Sequence, residues 1–259
     1  MIDVVVSGAA GKMGAETIRA ISGQTDMRVV AAVDPARAGE TVPGLDGIVY
    51  SPDLGAAIDA TRPLVMVDFT HPSVVEGNVR VALGRGVHCV VGTTGLARET
   101  LEELARGAGE EVCLFSAPNF AIGGVLMMQF AAQAAKYLPH VEIIELHHDR
   151  KADAPSGTAL KTAAMIAASR DTVPTIPGRE TEIAQGARGA FVDGIPVHSV
   201  RLPGLVAHQE VLFGGTGQTL SIRHDSVDRT SFMPGVILAV RETPRHSGLV
   251  IGLEHYLEA

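Results

Sequence analysis

The sequence predicts an α/β protein: a doubly wound parallel sheet followed by a second α+β domain with a mixed sheet. Three observations carry this reading. Up to about residue 120, short β-branched runs alternate with helical stretches, as in consecutive βαβ units. Those runs are almost continuously apolar, the mark of strands covered on both faces. Beyond residue 120 the rhythm changes to β-like runs broken by Gly and Pro.

The elements follow in order. Ile2-Asp3-Val4-Val5-Val6 opens with an apolar run, so a strand is expected at Asp3 to Ser7, and a glycine-rich turn leads into a helix from Met13 to Ser22. Further strands are read at Met27 to Val33, Leu64 to Phe69, Val87 to Val91 and Val112 to Ser116. Helices fill Ser73 to Gly84 and Arg98 to Ala108, and a third runs from Ala121 to Tyr137. In the second domain a strand at Val141 to Leu146 leads through a polar turn to a helix at Thr158 to Ala168. Pro196 to Arg201, Gln209 to Phe213 and Thr219 to His224 then resemble an antiparallel or mixed sheet. From about Arg229 to Ala259 a helical pattern returns, and periodicity leaves open which domain this tail joins.

At roughly 150 residues per domain, 259 residues fit one large or two modest domains. A content of 46% hydrophobic and 19% charged residues excludes disorder as the main state. Lys and Arg total 21 against 29 Asp and Glu, and the net charge of -8 repels a polyphosphate backbone, so no nucleic-acid partner is expected. The two cysteines, Cys89 and Cys113, both fall in predicted strands and build neither a disulfide framework nor a thiolate metal cluster, which points to a reducing cytoplasm. No basic leader precedes the first strand, so no secretory signal is expected. The stretch Ile122 to Leu138 is broken by Gln129, Gln133 and Lys136 and falls short of the roughly 20 residues that span a bilayer. It reads as a buried helix, with no membrane partner.

The first chemical signal is Gly8-Ala9-Ala10-Gly11-Lys12-Met13-Gly14, between the first strand and the first helix. Glycine allows a sharp turn and close approach of a pyrophosphate, and the helix start offers unpaired N–H groups. Gly11 and Gly14 fit the last two glycines of the dinucleotide fingerprint, with Ala9 in place of the first. Asp34 ends the second strand, where an acidic side chain accepts hydrogen bonds from an adenosine ribose diol. Its charge favours NADH over NADPH, with Lys12 and Arg37 as a partial offset.

The second signal is a set of loops at the carboxyl ends of predicted strands: Asp68-Phe69-Thr70-His71-Pro72, Gly92-Thr93-Thr94-Gly95 and Ala117-Pro118-Asn119-Phe120. Each alone is ordinary turn chemistry, but their shared location suits a flat nicotinamide ring. The third and densest signal runs from Glu145 to Ala159 and packs His147, His148, Arg150 and Lys151 before a helix start. Ser156 is the expected N-cap, leaving the N–H groups of Gly157 and Thr158 for a carboxylate. Adjacent histidines also suit a metal, but no further ligand stands at a spacing such as H-E-x-x-H, so no metal is expected.

Taken together, these residues resemble the dihydrodipicolinate reductase family over nearly the whole chain. The likeness rests on Gly8 to Gly14, Asp68-Phe69-Thr70, Gly92 to Gly95, Asn119-Phe120 and, most specifically, His147-His148 with Lys151 and Asp153-Ala154-Pro155-Ser156-Gly157-Thr158-Ala159. It implies a Rossmann-like dinucleotide-binding domain at 1–119 and 229–259 and a substrate-binding domain at 120–228 that builds a homotetramer through its sheet. It implies reduction of a cyclic imine, 4-hydroxy-tetrahydrodipicolinate or dihydrodipicolinate, to tetrahydrodipicolinate in the diaminopimelate route to lysine, with NADH or NADPH. By similarity His147 is a proton donor or acceptor and Lys151 a proton donor, while His148, Gly157 and Thr158 contact the dicarboxylate substrate. Cofactor contacts are expected at Gly8, Ala9, Ala10, Gly11, Lys12, Met13, Asp34, Gly92, Thr93, Thr94, Ala117, Pro118, Asn119 and Phe120. One departure is Pro35 after Asp34, where some members carry an arginine suited to a 2′-phosphate.

Hydride transfer to a ring carbon must be matched by proton delivery, and His147 with Lys151 supplies both a donor and positive charge. Two other readings compete: a non-catalytic dinucleotide sensor, and a dehydrogenase of another dicarboxylate. A sensor has no need of the His–Lys segment, and a substrate panel separates the dehydrogenases.

Overall fold

Seven parallel strands make the first sheet: β1 (Ile2–Ser7), β2 (Met27–Val33), β3 (Tyr50–Ser51), β4 (Val65–Asp68), β5 (His88–Val91), β6 (Cys113–Ser116) and, from the tail, β12 (Gly248–Ile251). The computed structural model describes residues 1–109, 111–172, 174 and 181–257. It divides into two compact units, Met1–Phe120 with Phe232–Ala259, and Ala121–Ser231.

In the first unit the strand order is β12-β6-β5-β4-β1-β2-β3. Succession runs one way from β1 and the other way from β4, which creates the switch point where open α/β sheets take ligands. Val5 joins Ala31, Met66, Cys89 and Leu114 in one apolar cluster with α2 (Leu54–Thr61), α3 (Pro72–Leu83) and α4 (Arg98–Gly107). Side chains alternate along a strand, so the equally buried Val4 and Val6 face the other side, where α1 (Lys12–Ser22) and α7 (Met233–Glu242) pack. Each such Val removed from water contributes about 1.5–3 kcal/mol.

Between Asp34 and Pro63, where no element was read, the chain forms β3 and α2. Asp53 caps α2 by accepting a hydrogen bond from the Ala56 N–H at 2.7 Å, and the helix stops at Arg62, in the left-handed region at φ 48°. The tail corrects the all-helical reading of Arg229 to Ala259. After α7, the run Gly-Leu-Val-Ile forms β12 parallel to β6, and α8 (Glu254–Leu257) follows. A β-branched run between two glycines, Gly248 and Gly252, both at positive φ, leaves too few residues for a helix. Arg241 anchors this tail to the strand layer through Asp26 and Gln24.

The second unit carries a mixed sheet in the order β11-β10-β7-β9-β8: β7 (His140–His147), β8 (Ala190–Val192), β9 (Ile195–Arg201), β10 (Ala207–Gly215) and β11 (Gln218–Ser226). β7 pairs parallel with β9 and antiparallel with β10. α5 (Ile122–Ala135) and α6 (Gly157–Ser169) cover one face, to which Val141, Ile143 and Glu145 turn alternately. Among the described residues no helix is long and apolar enough to cross a membrane.

Candidate active site

At the end of β1 the chain makes its turn on Gly8, at φ +74°, and a side chain there would meet the Phe69 carbonyl at 2.4 Å. The left-handed position of the fingerprint is thus Gly8, while Ala9 is buried and bonds to the Val33 carbonyl. Gly14 has another reason: a Cβ on it would stand 2.1 Å from the Gly8 carbonyl oxygen. Only a bare backbone lets α1 come this close to the strand. Gly11 is the N-cap of α1, and among the described residues no side chain caps this helix start. That concave, donor-lined turn fits the pyrophosphate of a dinucleotide.

Asp34, at the end of β2, accepts hydrogen bonds from Ala10 N–H at 3.0 Å and Ala36 N–H at 3.1 Å. Its carboxylate is thereby fixed beside the glycine turn. Arg37 pairs with Glu40 through Nε to Oε2 at 2.8 Å.

The loops after β4 and β5 converge on Asp68, which the sequence placed in one of the strand-end loops without giving it a role. Asp68 is fully buried, and its Oδ1 accepts from Thr70 N–H, Thr70 Oγ1 and Thr93 Oγ1 at 3.1, 2.7 and 2.7 Å. Its Oδ2 accepts from Asn78 Nδ2 at 2.8 Å. One carboxylate therefore sets the relative position of two of the expected cofactor loops. Gly92 is required by Phe69, whose ring atoms would lie 2.0 Å from a Cβ there. Phe69 in turn meets Phe120 edge-on at 5.7 Å. The Phe120 ring is buried between Phe69 and Phe115, so this expected cofactor contact is a packing anchor by its side chain. Thr93, Thr94, Ala117 and Pro118 line a cavity of about 250 Å³ with Ser116 and Ile251.

The second cluster stands at the carboxyl end of β7. Glu145, fully buried, takes both Nη atoms of Arg201 at 2.9 and 2.8 Å, and its Oε2 lies 2.5 Å from His147 Nδ1. The register explains the grouping: His147 and Arg201 are partners on adjacent parallel strands, and Glu145 is one pleat back on the same face. Burial acts to raise the Glu145 carboxyl, but hydrogen bonds from His147, Arg201 and Ser199 outweigh it and hold the group at about 2.

The segment between β7 and α6 is pinned to this pair. Arg201 Nη2 donates to the Asp153 carbonyl at 2.7 Å, and the Ser156 N–H donates to Glu145 Oε1 at 3.3 Å. Lys151 Nζ reaches both carboxylate oxygens of Asp153, at 2.7 and 2.8 Å, which pulls that carboxyl below its usual range. Ser156 caps α6 through Oγ, accepting from Ala159 N–H at 3.2 Å. Gly157 and Thr158 open the helix, and the half-buried His148 has its Nδ1 without a partner among the described residues. His147, His148, Lys151, Gly157 and Thr158 thus belong to one loop and its two flanks. Glu145 and Arg201 escaped sequence reasoning as site residues, because strand pairing alone brings them together.

Comparison with known proteins bears on both clusters. A model of the N-terminus of dihydrodipicolinate reductase matches residues 2–120, and one of its C-terminus matches 123–257. The chain belongs to the dihydrodipicolinate reductase family. Among its relatives, the 4-hydroxy-tetrahydrodipicolinate reductase of Syntrophomonas wolfei is 52% identical, with 98% of each chain covered. That of Mycolicibacterium vanbaalenii is 51% identical, again over 98% of each. A solved dihydrodipicolinate reductase from Paenisporosarcina sp. TG-14, with dipicolinate bound, superposes with a TM-score of 0.88 at 44% identity, covering 98% of this chain and 99% of that one.

Proposed function

We propose that this chain reduces 4-hydroxy-tetrahydrodipicolinate, or the dihydrodipicolinate formed from it by loss of water, to tetrahydrodipicolinate in the diaminopimelate route to lysine. The observation that carries the proposal is the end-to-end match to reductases bearing this activity in their names. It favours catalysis over a dinucleotide sensor and over a dehydrogenase of another dicarboxylate.

A reduced nicotinamide dinucleotide, when bound, supplies the hydride. The residues that would hold it are Gly8, Ala9, Ala10, Gly11, Lys12 and Met13 at the pyrophosphate, Asp34 at the ribose, and Gly92, Thr93, Thr94 and the stretch Ala117 to Phe120 at the nicotinamide end. Asp34 suits the ribose diol of NADH, and its charge opposes a 2′-phosphate. Arg37, paired with Glu40 at the exposed surface, is a partial offset to that charge. NADH is therefore the better cofactor and NADPH the weaker one, and calorimetric titration of both measures the difference.

The substrate is a dianion. A relative is named with dipicolinate bound, a flat dicarboxylate of the same outline, which supports a carboxylate site here. The N–H groups of Gly157 and Thr158 at the start of α6 and the ring of His148 receive the carboxylates. As negative charge develops on the ring, Lys151 and His147 supply positive charge and one proton to balance the transferred hydride. The protein is proposed to work in the cytoplasm as a homotetramer joined through the sheet of the second unit, and sedimentation at four times the chain mass is expected. In the functional test, purified protein consumes NADH or NADPH only when pyruvate, aspartate semialdehyde and the condensing synthase are all supplied. No oxidation of either cofactor under those conditions rejects the proposal.

A further inference from the structure

We infer that Glu145, braced by Arg201, is the positioning residue that fixes the hydrogen-bonding form of His147 and so makes Nε2 its one proton-exchanging atom. The inference rests on the reading of His147 as a proton carrier, but its geometry stands without it. A carboxylate can only accept, so a His147 Nδ1 at 2.5 Å from Glu145 Oε2 must carry the hydrogen. The neutral ring then holds its proton on Nδ1, leaving the Nε2 lone pair to take a second. The resulting imidazolium has its counter-charge already in place.

Glu145 can do this because it remains ionised across the whole working range. Its burial would favour the neutral acid, and hydrogen bonds from His147, the bidentate Arg201 and Ser199 reverse that preference. Arg201 has a second task. By holding the Asp153 carbonyl it ties the Lys151–Asp153 pair to the carboxylate that orients His147. The two proposed proton carriers are thus set by one network: His147, Glu145, Arg201, the Asp153 carbonyl, and the Asp153 carboxylate with Lys151. The charged groups that the structure sets against the ring are Glu145 on its own strand and Arg201, its partner on β9, with the Lys151–Asp153 pair tied to Arg201 through the Asp153 carbonyl. Its β10 partner, Ala207, is uncharged.

The first test uses the unaltered protein. With ¹⁵N-labelled histidine, and His147→Gln to assign the signal, NMR at a pH where the ring is neutral is expected to find the hydrogen on Nδ1. A hydrogen on Nε2 overturns the inference. The second test is Glu145→Gln, whose amide cannot balance an imidazolium. It is expected to lower kcat by tenfold or more, up to the roughly 10²–10⁴-fold worth of a positioned general acid. The pH–kcat profile should change shape, with cofactor KM unchanged, and Glu145→Asp should restore part of the profile. A Glu145→Gln profile of unchanged shape, merely scaled down, overturns the inference and marks Glu145 as structural. Where Glu145→Gln fails to fold, the NMR result on the native chain decides. A chain without reductase activity would reject the proposed function and leave the tautomer measurement standing.

Discussion

The side chains that matter most at the end of β7 differ in how far the sequence displays them. His147, His148 and Lys151 crowd a five-residue stretch, and such density of protons and charge beside a helix start is visible without any fold. Lys151→Ala is expected to lower kcat by about 10²–10⁴-fold while leaving cofactor affinity near the native value, since Lys151 lies outside the glycine turn. Steady-state kinetics with calorimetric cofactor binding checks this, and a loss of cofactor binding would contradict the role. Glu145 heads the dense segment but shows no role in the sequence for a physical reason: it reads as one polar residue in a strand, and its partner Arg201 arrives only through the parallel pairing of β9. Asp68 was half hidden in the same way, because Thr93 and Asn78 reach it from separate elements. Glu145 also sets an acid limit on stability. Its folded value of about 2 lies below the ordinary 4.5, so its contribution is complete above about pH 4.5 and is lost as pH falls toward 2. That contribution is on the order of 3 kcal/mol. Urea unfolding of Glu145→Gln should therefore start from a lower midpoint at neutral pH, and the gap to the native chain should close across this acid window. A gap that stays constant would contradict the assignment.

Among the elements, legibility followed apolar continuity. β1, β2 and β4 to β6 are short, mostly apolar and Val-rich runs that announce a covered sheet, and their ends fell within a residue or so of the expected limits. α2 and β12 were missed because each is brief and its signals are local: an Asp53 cap for the helix, flanking glycines for the strand. The junction of β1 and α1 is the most demanding contact between elements, since Gly14 must sit against the Gly8 carbonyl. Gly14→Ala forces the helix off the strand and is expected to weaken dinucleotide binding by tenfold or more, about 1.4 kcal/mol. Calorimetric titration with NADH measures it. Unchanged affinity would mean that the turn does not cradle the cofactor.

At the scale of the whole molecule, the tail decides the architecture. Periodicity could not place residues beyond Arg229, whereas the structure threads them back into the first unit, where β12 extends the parallel sheet and α7 covers it. A chain that leaves a unit for more than a hundred residues and returns writes no local signal of its return. What unites the glycine turn with the His–Lys segment is the reaction they are proposed to share. The most direct measurement supplies NADH deuterated at its transferable position together with the synthase-generated imine, and weighs the product by mass spectrometry. One deuterium in tetrahydrodipicolinate for each cofactor oxidised is expected. Cofactor oxidation with no label in that product, or no product at all, would contradict the account.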